Sequence, residues 1–320
     1  MIDKIRFSKK NLTDSEIKKI VDKNHLETFV VNGISQYNNT KTKNFNGGFH
    51  IQIDAKKTLI VEGSLHKYAT FQVTKKLDNF DRFTMQQAKE TYIKMIDRFD
   101  INPENTNVNK FEIGINVTSQ IETFELLNNI KSIGDLDKEK IFYFNPKFKN
   151  ESVKTTEMHK DFRLIYRTYD KIFEMVQQKK AVSNDKIIRL ETIHQRVEKT
   201  FLIDFFTDAN LRRLQNHFFD NWDKLNFKIE IVAPTKTSLS KIGLAKDLYV
   251  RKPIEVLNDI QKEYKNNSMT IKTYYTSKRF IENWENEKIN FVPTKSIILL
   301  MWEKLYNTEK QIYTQNNKLK

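Results

Sequence analysis

The residues best able to do chemistry lie in one segment, Asp161-Phe-Arg-Leu-Ile-Tyr-Arg-Thr-Tyr-Asp-Lys-Ile-Phe-Glu174. Read as a strand through Tyr169, it places Arg163, Arg167 and Tyr169 on one face and Tyr166 on the other. A phenol flanked by guanidinium groups suits attack on a phosphodiester. The hydroxyl, with an ordinary pKa of about 10, must lose its proton to become a nucleophile. Neighbouring cations favour the phenolate and stabilise charge on phosphoryl oxygens. The same composition also fits a solvent-exposed Tyr/Arg-rich strand.

Three other strand patterns carry acids. In Lys110–Val117, Phe111, Ile113, Ile115 and Val117 alternate with Lys110, Glu112, Gly114 and Asn116. A glutamate followed by glycine on one face leaves space beside a carboxylate; the alternative is the solvent face of a half-buried sheet. Ile187–His194 sets Arg189 and Glu191 on a common face. Leu59–Lys67 does the same for Glu62, Ser64 and His66. Side by side, these strands would assemble a carboxylate–carboxylate–imidazole cluster suited to Mg²⁺ or Mn²⁺. There is no Walker A loop, so ATP hydrolysis is not expected. The nearest approach to a His-hydrophobe-His chelate is His50-Ile51-Gln52.

The elements that must position these residues are partly legible. Phe49–Asp54 and Leu59–Lys67, joined by Ala55-Lys56-Lys57, predict a hairpin. Thr84 caps a predicted helix to Phe99 with an apolar stripe of Ala88, Tyr92, Met95, Ile96 and Phe99. The strand Lys110–Val117 and a short helix Ile121–Ile130 follow. Ile141–Tyr143, Phe162–Tyr169 and Ile187–His194 read as strands, with a helix from Ile172 and a loop at Ser183-Asn184-Asp185. Beyond Phe201 the pattern turns helical at Leu211–Trp222, Pro253–Tyr264, Lys278–Asn286 and Lys295–Tyr306, with a frayed end at Asn316–Lys320. We therefore expect two domains, 1–200 catalytic and 201–320 mostly helical.

Composition narrows the class. The chain has 320 residues, a formal charge of +14 and no cysteine. A disulfide scaffold, a zinc–thiolate site and a cysteine nucleophile are excluded. The basic surplus favours a polyanionic partner, because lysine contacts to phosphate release counterions. No segment reads as a signal peptide or membrane span, which predicts a cytoplasmic protein with no membrane partner. In the C-terminal half Lys236, Lys241, Lys246, Arg251 and Lys252 surround a polar loop. They fit either a solvated surface or a duplex-binding one.

Five blocks taken together, GSLHKYATF, NFDRFT, VNKFEIGINV, LIYRTYDKIFEM and IIRLETIHQRV, resemble in order and spacing the phage and plasmid rolling-circle replication initiators of the filamentous-phage gene II type. The resemblance covers roughly Leu59 to Val197. It implies an α+β fold of the Rep/relaxase kind, an antiparallel sheet with helices on one face and the catalytic cluster on the open face. It implies that Tyr169 is the nicking tyrosine, with Lys171 and Glu174 completing its block. Glu112 and Glu191 would hold a divalent metal, Mg²⁺ or Mn²⁺, and Arg189 belongs to the Arg-x-Glu block; His66, from the strand pattern of Leu59–Lys67 and not from the resemblance, is a further candidate ligand. Glu62, Ser64 and Lys67 match a Glu-Gly-Ser-like block. The sequence departs from the family in lacking a glycine-rich stretch after Tyr68, which leaves Phe71–Phe80 without a role.

The implied activity is a metal-dependent, site-specific endonuclease and strand transferase. It nicks one strand of origin DNA through a phosphotyrosine, with Arg167 and Lys171 stabilising the developing charge, and later rejoins it. Its partners would be single-stranded and supercoiled duplex origin DNA, host helicase and DNA polymerase. Lys67, Arg163, Arg189, Lys241, Arg251 and Lys252 are the candidate DNA contacts. Glu112→Gln and Glu191→Gln are expected to abolish cleavage and spare the fold. The alternatives are a non-catalytic DNA-binding protein of plasmid copy control or partition, and a metal-dependent nuclease or recombinase.

Overall fold

Apolar alternation in the first two hundred residues builds one sheet. The computed structural model describes residues 1–135, 138–146, 151–178, 185–294 and 297–315. In chain order, β1 (Ile2–Lys9), α1 (Asp14–Asn24), β2 (Glu27–Val31) and β3 (Ile34–Asn38) precede the hairpin of β4 (His50–Ile53) and β5 (Leu59–Ser64). Helices α2 (Leu65–Thr74) and α3 (Met85–Phe99) lead to β6 (Asn107–Ser119), followed by α4 (Thr123–Asn129), β7 (Ile130–Ile133), β8 (Lys140–Ile141) and β9 (Tyr143–Phe144). Next come β10 (Ser152–Met158), β11 (Arg163–Asp170), α5 (Lys171–Gln177) and β12 (Lys186–Phe201). Ten strands lie in the order β2-β3-β4-β5-β1-β6-β12-β11-β10-β9. Every pairing in it is antiparallel. The first strand of the chain thus sits at the centre, between β5 and β6.

The chain continues through α6 (Leu202–Phe205), α7 (Asp208–Trp222), β13 (Leu225–Phe227), β14 (Glu230–Val232), α8 (Leu239–Val250), α9 (Pro253–Lys265), α10 (Ile271–Glu282), α11 (Trp284–Glu287), β15 (Val292–Thr294) and α12 (Ile297–Gln315). Two separate apolar cores divide these elements. Phe111, Ile113, Ile115 and Val117 of β6 pack in the larger core with Met95 and Phe99 of α3, Phe218 and Trp222 of α7, and Trp302 and Tyr313 of α12. The smaller core joins Ala245 and Leu248, Val256 and Ile260, Phe280 and Ile281, and Trp284 and Phe291. The cores therefore do not part at residue 201. Helices α6, α7 and α12 belong with the sheet, and only the stretch from about β14 to β15 stands apart.

The hairpin, the strand around Gly114 and the Thr84 cap are as the sequence predicts. Thr84 forms a capping box with Gln87. Other boundaries differ. Leu59–Lys67 is not all strand: Ser64 ends it, accepts the Lys67 N–H at 3.0 Å and caps α2. The expected helix at 278 starts at Ile271, and α8 fills a stretch for which the sequence predicts no element. Ser183, Asn184, Lys295 and the end at Asn316–Lys320 lie outside the described residues. No described helix is long and apolar enough to cross a membrane.

Candidate active site

The register of four central strands arranges the polar face of the sheet. Arg6, Lys110, Gln195 and Arg163 form one cross-strand row, and Lys4, Glu112, Ile193 and Ile165 the next. Gly114, Glu191 and Arg167 form the third, and Asn116, Arg189 and Tyr169 the fourth. Directly paired residues project to the same side of an antiparallel sheet. Tyr169, Arg167, Glu191, Arg189 and Glu112 therefore share one face, and Tyr166 turns into the core against Trp222.

Glu191 is the hub. Its Oε1 accepts the Tyr169 hydroxyl at 2.8 Å and Arg189 Nε at 2.6 Å. Its Oε2 accepts Arg167 Nε at 3.0 Å and a second Arg167 nitrogen. The Arg167 guanidinium also lies 4.8 Å from the centre of the Tyr169 ring, a cation–π contact. Burial opposes ionisation of Glu191, but Arg167 and Arg189 outweigh it and draw the carboxyl down to about 2. Glu112 goes the other way. Burial and then the charge of Glu191 raise it, against the opposing pull of Lys110, 3.0 Å away, and Lys4. Burial and Glu191 likewise push the Tyr169 phenol well above its ordinary value, so the resting hydroxyl is protonated. Lys171, whose ammonium donates to Glu174 at 2.6 Å, is lowered by burial and by Arg189.

Asp3 belongs to this cluster and was not legible as a site residue. Ile2 pairs with Ile113 and Lys4 with Glu112, so Asp3 is an extra residue in the ladder, a bulge. The bulge brings its carboxylate to the polar face, where it accepts from Arg189, from Ser64 and, at 2.9 Å, from Asn79. Arg189 also donates to Asn116 at 2.7 Å, and Asn116 donates to the carbonyls of Asn79 and Phe80. The segment Phe71–Phe80 thereby gains a role: its end anchors Asp3 and Asn116. The signal for the bulge was the apolar spacing of Ile2, Ile5 and Phe7, three residues and then two, where an unbroken strand keeps two.

A cavity of about 660 Å³ opens over the cluster. Tyr169, Arg167, Lys171, Glu174, Glu112 and Glu191 all line it, as does Lys67 from the first turn of α2. Six expected site residues lie outside its lining. His66 is on helix α2 rather than a strand and its ring stacks on Phe83 at 4.6 Å, outside the cavity lining. Burial lowers its pKa to about 3. Arg189 is 2% exposed and fully engaged by acids, so it is an internal clamp rather than a surface DNA contact. Arg251 is tied to Asp259 at 2.5 Å. Arg163 lies at the far row, beside Gln195. Lys241 sits over the Phe280 ring and Lys252 at the start of α9, both in the smaller unit. The space beside Glu112 provided by Gly114 is taken by protein: a Cβ there would lie 3.0 Å from both Arg189 and Glu191 side chains.

Among the described residues no group of three or more His, Asp or Glu is arranged to hold a metal ion. Glu112 and Glu191 carry oxygens of the kind Mg²⁺ or Mn²⁺ takes, with both Glu191 oxygens here already accepting from Tyr169, Arg189 and Arg167. They are neighbouring hard-oxygen donors, one of them destabilised by the other's charge. Mg²⁺ commonly takes one or two protein carboxylates and completes its shell from phosphate and water. No protein-family model matches this chain, and its sequence finds no significant match among curated proteins.

Proposed function

We propose that this protein is a DNA nicking and rejoining enzyme that starts rolling-circle replication, with Tyr169 as nucleophile. The observation that carries the reading is the Tyr169 hydroxyl held 2.8 Å from Glu191 in a cavity lined by Arg167 and Lys171. The Tyr169 oxygen bonds to the scissile phosphorus, and the bond from phosphorus to the 3′ oxygen breaks. The tyrosine proton passes to Glu191, and the 3′ oxygen takes up a proton from solvent water to leave as a primer hydroxyl. The 5′ phosphate stays on Tyr169. Because the phosphotyrosine keeps the energy of the broken bond, rejoining needs no nucleotide.

Glu191 paired to two arginines is a weak base. A DNA phosphate entering the cavity competes for Arg167, and loss of that partner raises the basicity of Glu191 where the phenol proton must go. Arg167 and Lys171 then face the phosphoryl oxygens as charge develops. Glu112, with the Glu191 oxygen that Arg167 vacates for the phosphate, would hold the divalent ion, which when bound supplies polarisation of a phosphoryl oxygen. The test is peptide mapping of a protein–DNA adduct trapped on single-stranded DNA with Mg²⁺. The adduct is expected on the Tyr169 peptide, and Tyr169→Phe should abolish it with DNA binding retained. An adduct on the Tyr166 peptide, or full cleavage by Tyr169→Phe, overturns the assignment.

A further inference from the structure

Helices α9 and α10 form a compact pair with a defined corner. Helix α9 ends in a Schellman arrangement: Ser268 N–H donates to the Glu263 carbonyl at 2.9 Å and Asn267 N–H to the Tyr264 carbonyl at 3.0 Å. Asn267 takes the left-handed conformation this needs, with φ 57°. Thr270 then caps α10 by accepting the Thr273 N–H at 3.2 Å. Tyr264 stacks on Tyr274 at 4.6 Å, fastening one helix to the other. Ser277, Phe280 and Ile281 of α10 turn inward onto α8 and α9. A helix pair joined across residues 266–270 and backed by a third helix resembles, with a slightly longer turn, the modules that lay their second helix in the major groove of DNA.

The outward face of α10 suits that occupant. Lys272, Thr273, Tyr275, Thr276 and Arg279 are exposed, Tyr275 to 60%, beside Ile271 at 59%. Lys272, Tyr275/Thr276 and Arg279 follow the three- and four-residue spacing of one helix face. Two of these are cations and none is an acid. Among the described residues neither Lys272 nor Arg279 is in an ion pair. Several acids of the unit are engaged with other cations: Asp259 with Arg251 and Lys262, Glu282 with Lys278, and Glu285 with Lys288. Hydroxyls and a guanidinium read base edges, an aliphatic side chain meets a thymine methyl, and lysine meets phosphate. Lys252, exposed at the start of α9, stands where the first helix of such a pair crosses the backbone.

We infer that residues 230–294 are a sequence-reading duplex-DNA module, with α10 as the helix that enters the major groove. This goes beyond the nicking chemistry and does not depend on it. The test uses the full chain carrying Tyr169→Phe, in EDTA, with short duplexes of randomised centre as probe. The parent should enrich a common sequence. Lys272→Ala/Arg279→Ala should lose the enrichment, bind the selected duplex about tenfold or more weakly, and show a salt slope lower by about one from the lost lysine–phosphate contact. Arg279→Gln, which keeps length and helix propensity, should move affinity in the same direction and guards against misfolding of the double variant. Melting curves should be unchanged, because both side chains are exposed. No duplex retained by the parent, or unchanged affinity and enrichment in both variants, overturns the proposal. So does an equal loss on single-stranded probes, which would mark α10 as a general polyanion surface. Cleavage of single-stranded DNA by the chain with Tyr169 intact is scored separately, so either reading can fail alone.

Discussion

Glu112 and Glu191 stand on the same face and have opposite dependence on their charges. Glu191 neutralises the half-buried Arg167 and the buried Arg189, so its removal leaves Arg167 without its carboxylate and Arg189 held by Asp3 and Asn116 alone. Glu191→Gln should cost roughly 3–5 kcal/mol of folding stability, the range for breaking a buried pair from one side. The sequence-based expectation is instead that both substitutions spare the fold, and the melting curves decide between the two. Glu112 has a raised folded pKa, so its ionised form is disfavoured in the native state. The stability linked to it is present below the ordinary carboxyl value and is lost as pH rises through the folded one. Glu112→Gln should therefore raise the melting temperature at pH 7, a gain that vanishes in acid where the native carboxyl is already neutral. Glu191 has the reverse sign. Its contribution is full above the ordinary value of 4.5 and disappears as pH falls toward about 2. Melting curves of the two variants across that range check both signs; a fall in melting temperature for Glu112→Gln at pH 7 would show that its pairing with Lys110 outweighs the repulsion.

Elements, rather than single residues, decide how closely these groups meet. Gly114 is central: an added Cβ would lie 2.8 Å from the Leu190 carbonyl and 3.0 Å from the Glu191 side chain. The carbonyl is backbone within the β6–β12 ladder, so it cannot swing away. Gly114→Ala should destabilise by about 1–3 kcal/mol, as overpacking does. It should also slow adduct formation on Tyr169 more than it weakens DNA binding, because Glu191 is moved off the hydroxyl. Equal losses in rate and binding would place the damage in the sheet as a whole. Strand parity made most of this face readable beforehand, since Glu112, Gly114, Arg189, Glu191, Arg167 and Tyr169 all obey period two. Asp3 was hidden because a bulge breaks that period. His66 was misplaced because Ser64 ends the strand and caps α2, a switch that alternation alone does not announce. The start of α10 was missed because Ile271-Lys-Thr-Tyr-Tyr-Thr276 has strand-like composition; its helix is fixed by the inward packing of Ser277, Phe280 and Ile281. Helix α8 was missed because its cap, Ser238, sits inside a polar stretch that reads as loop.

At the scale of the whole molecule the two cores determine what can be removed. A cut near residue 201 looks natural from composition, but it would strip Phe218, Trp222, Trp302 and Tyr313 from the larger core. It would also delete Trp222, whose indole donates to Thr192 on β12 at 3.0 Å, one residue from Glu191. Such a truncation should unfold the sheet and abolish cleavage of single-stranded and duplex DNA alike, without saying anything about the smaller unit. Internal excision is the informative change. β14 and β15 are antiparallel, with Glu230 opposite Thr294, so the two ends of the smaller unit lie side by side. A short Gly/Ser linker can join them with little closure entropy, since that cost grows only slowly with length. Removing 231–293 this way keeps α12 against the sheet through Tyr306, whose hydroxyl donates to Asp223 at 3.0 Å, and through the pairing of Glu309 with Arg82. The excised chain should melt as one cooperative unit, keep adduct formation on single-stranded DNA, and lose selective duplex binding. Circular dichroism, the adduct assay and a duplex competition measure the three outcomes on one protein. Loss of adduct formation in a chain that still melts cooperatively would mean that the smaller unit contributes directly to the Tyr169 site.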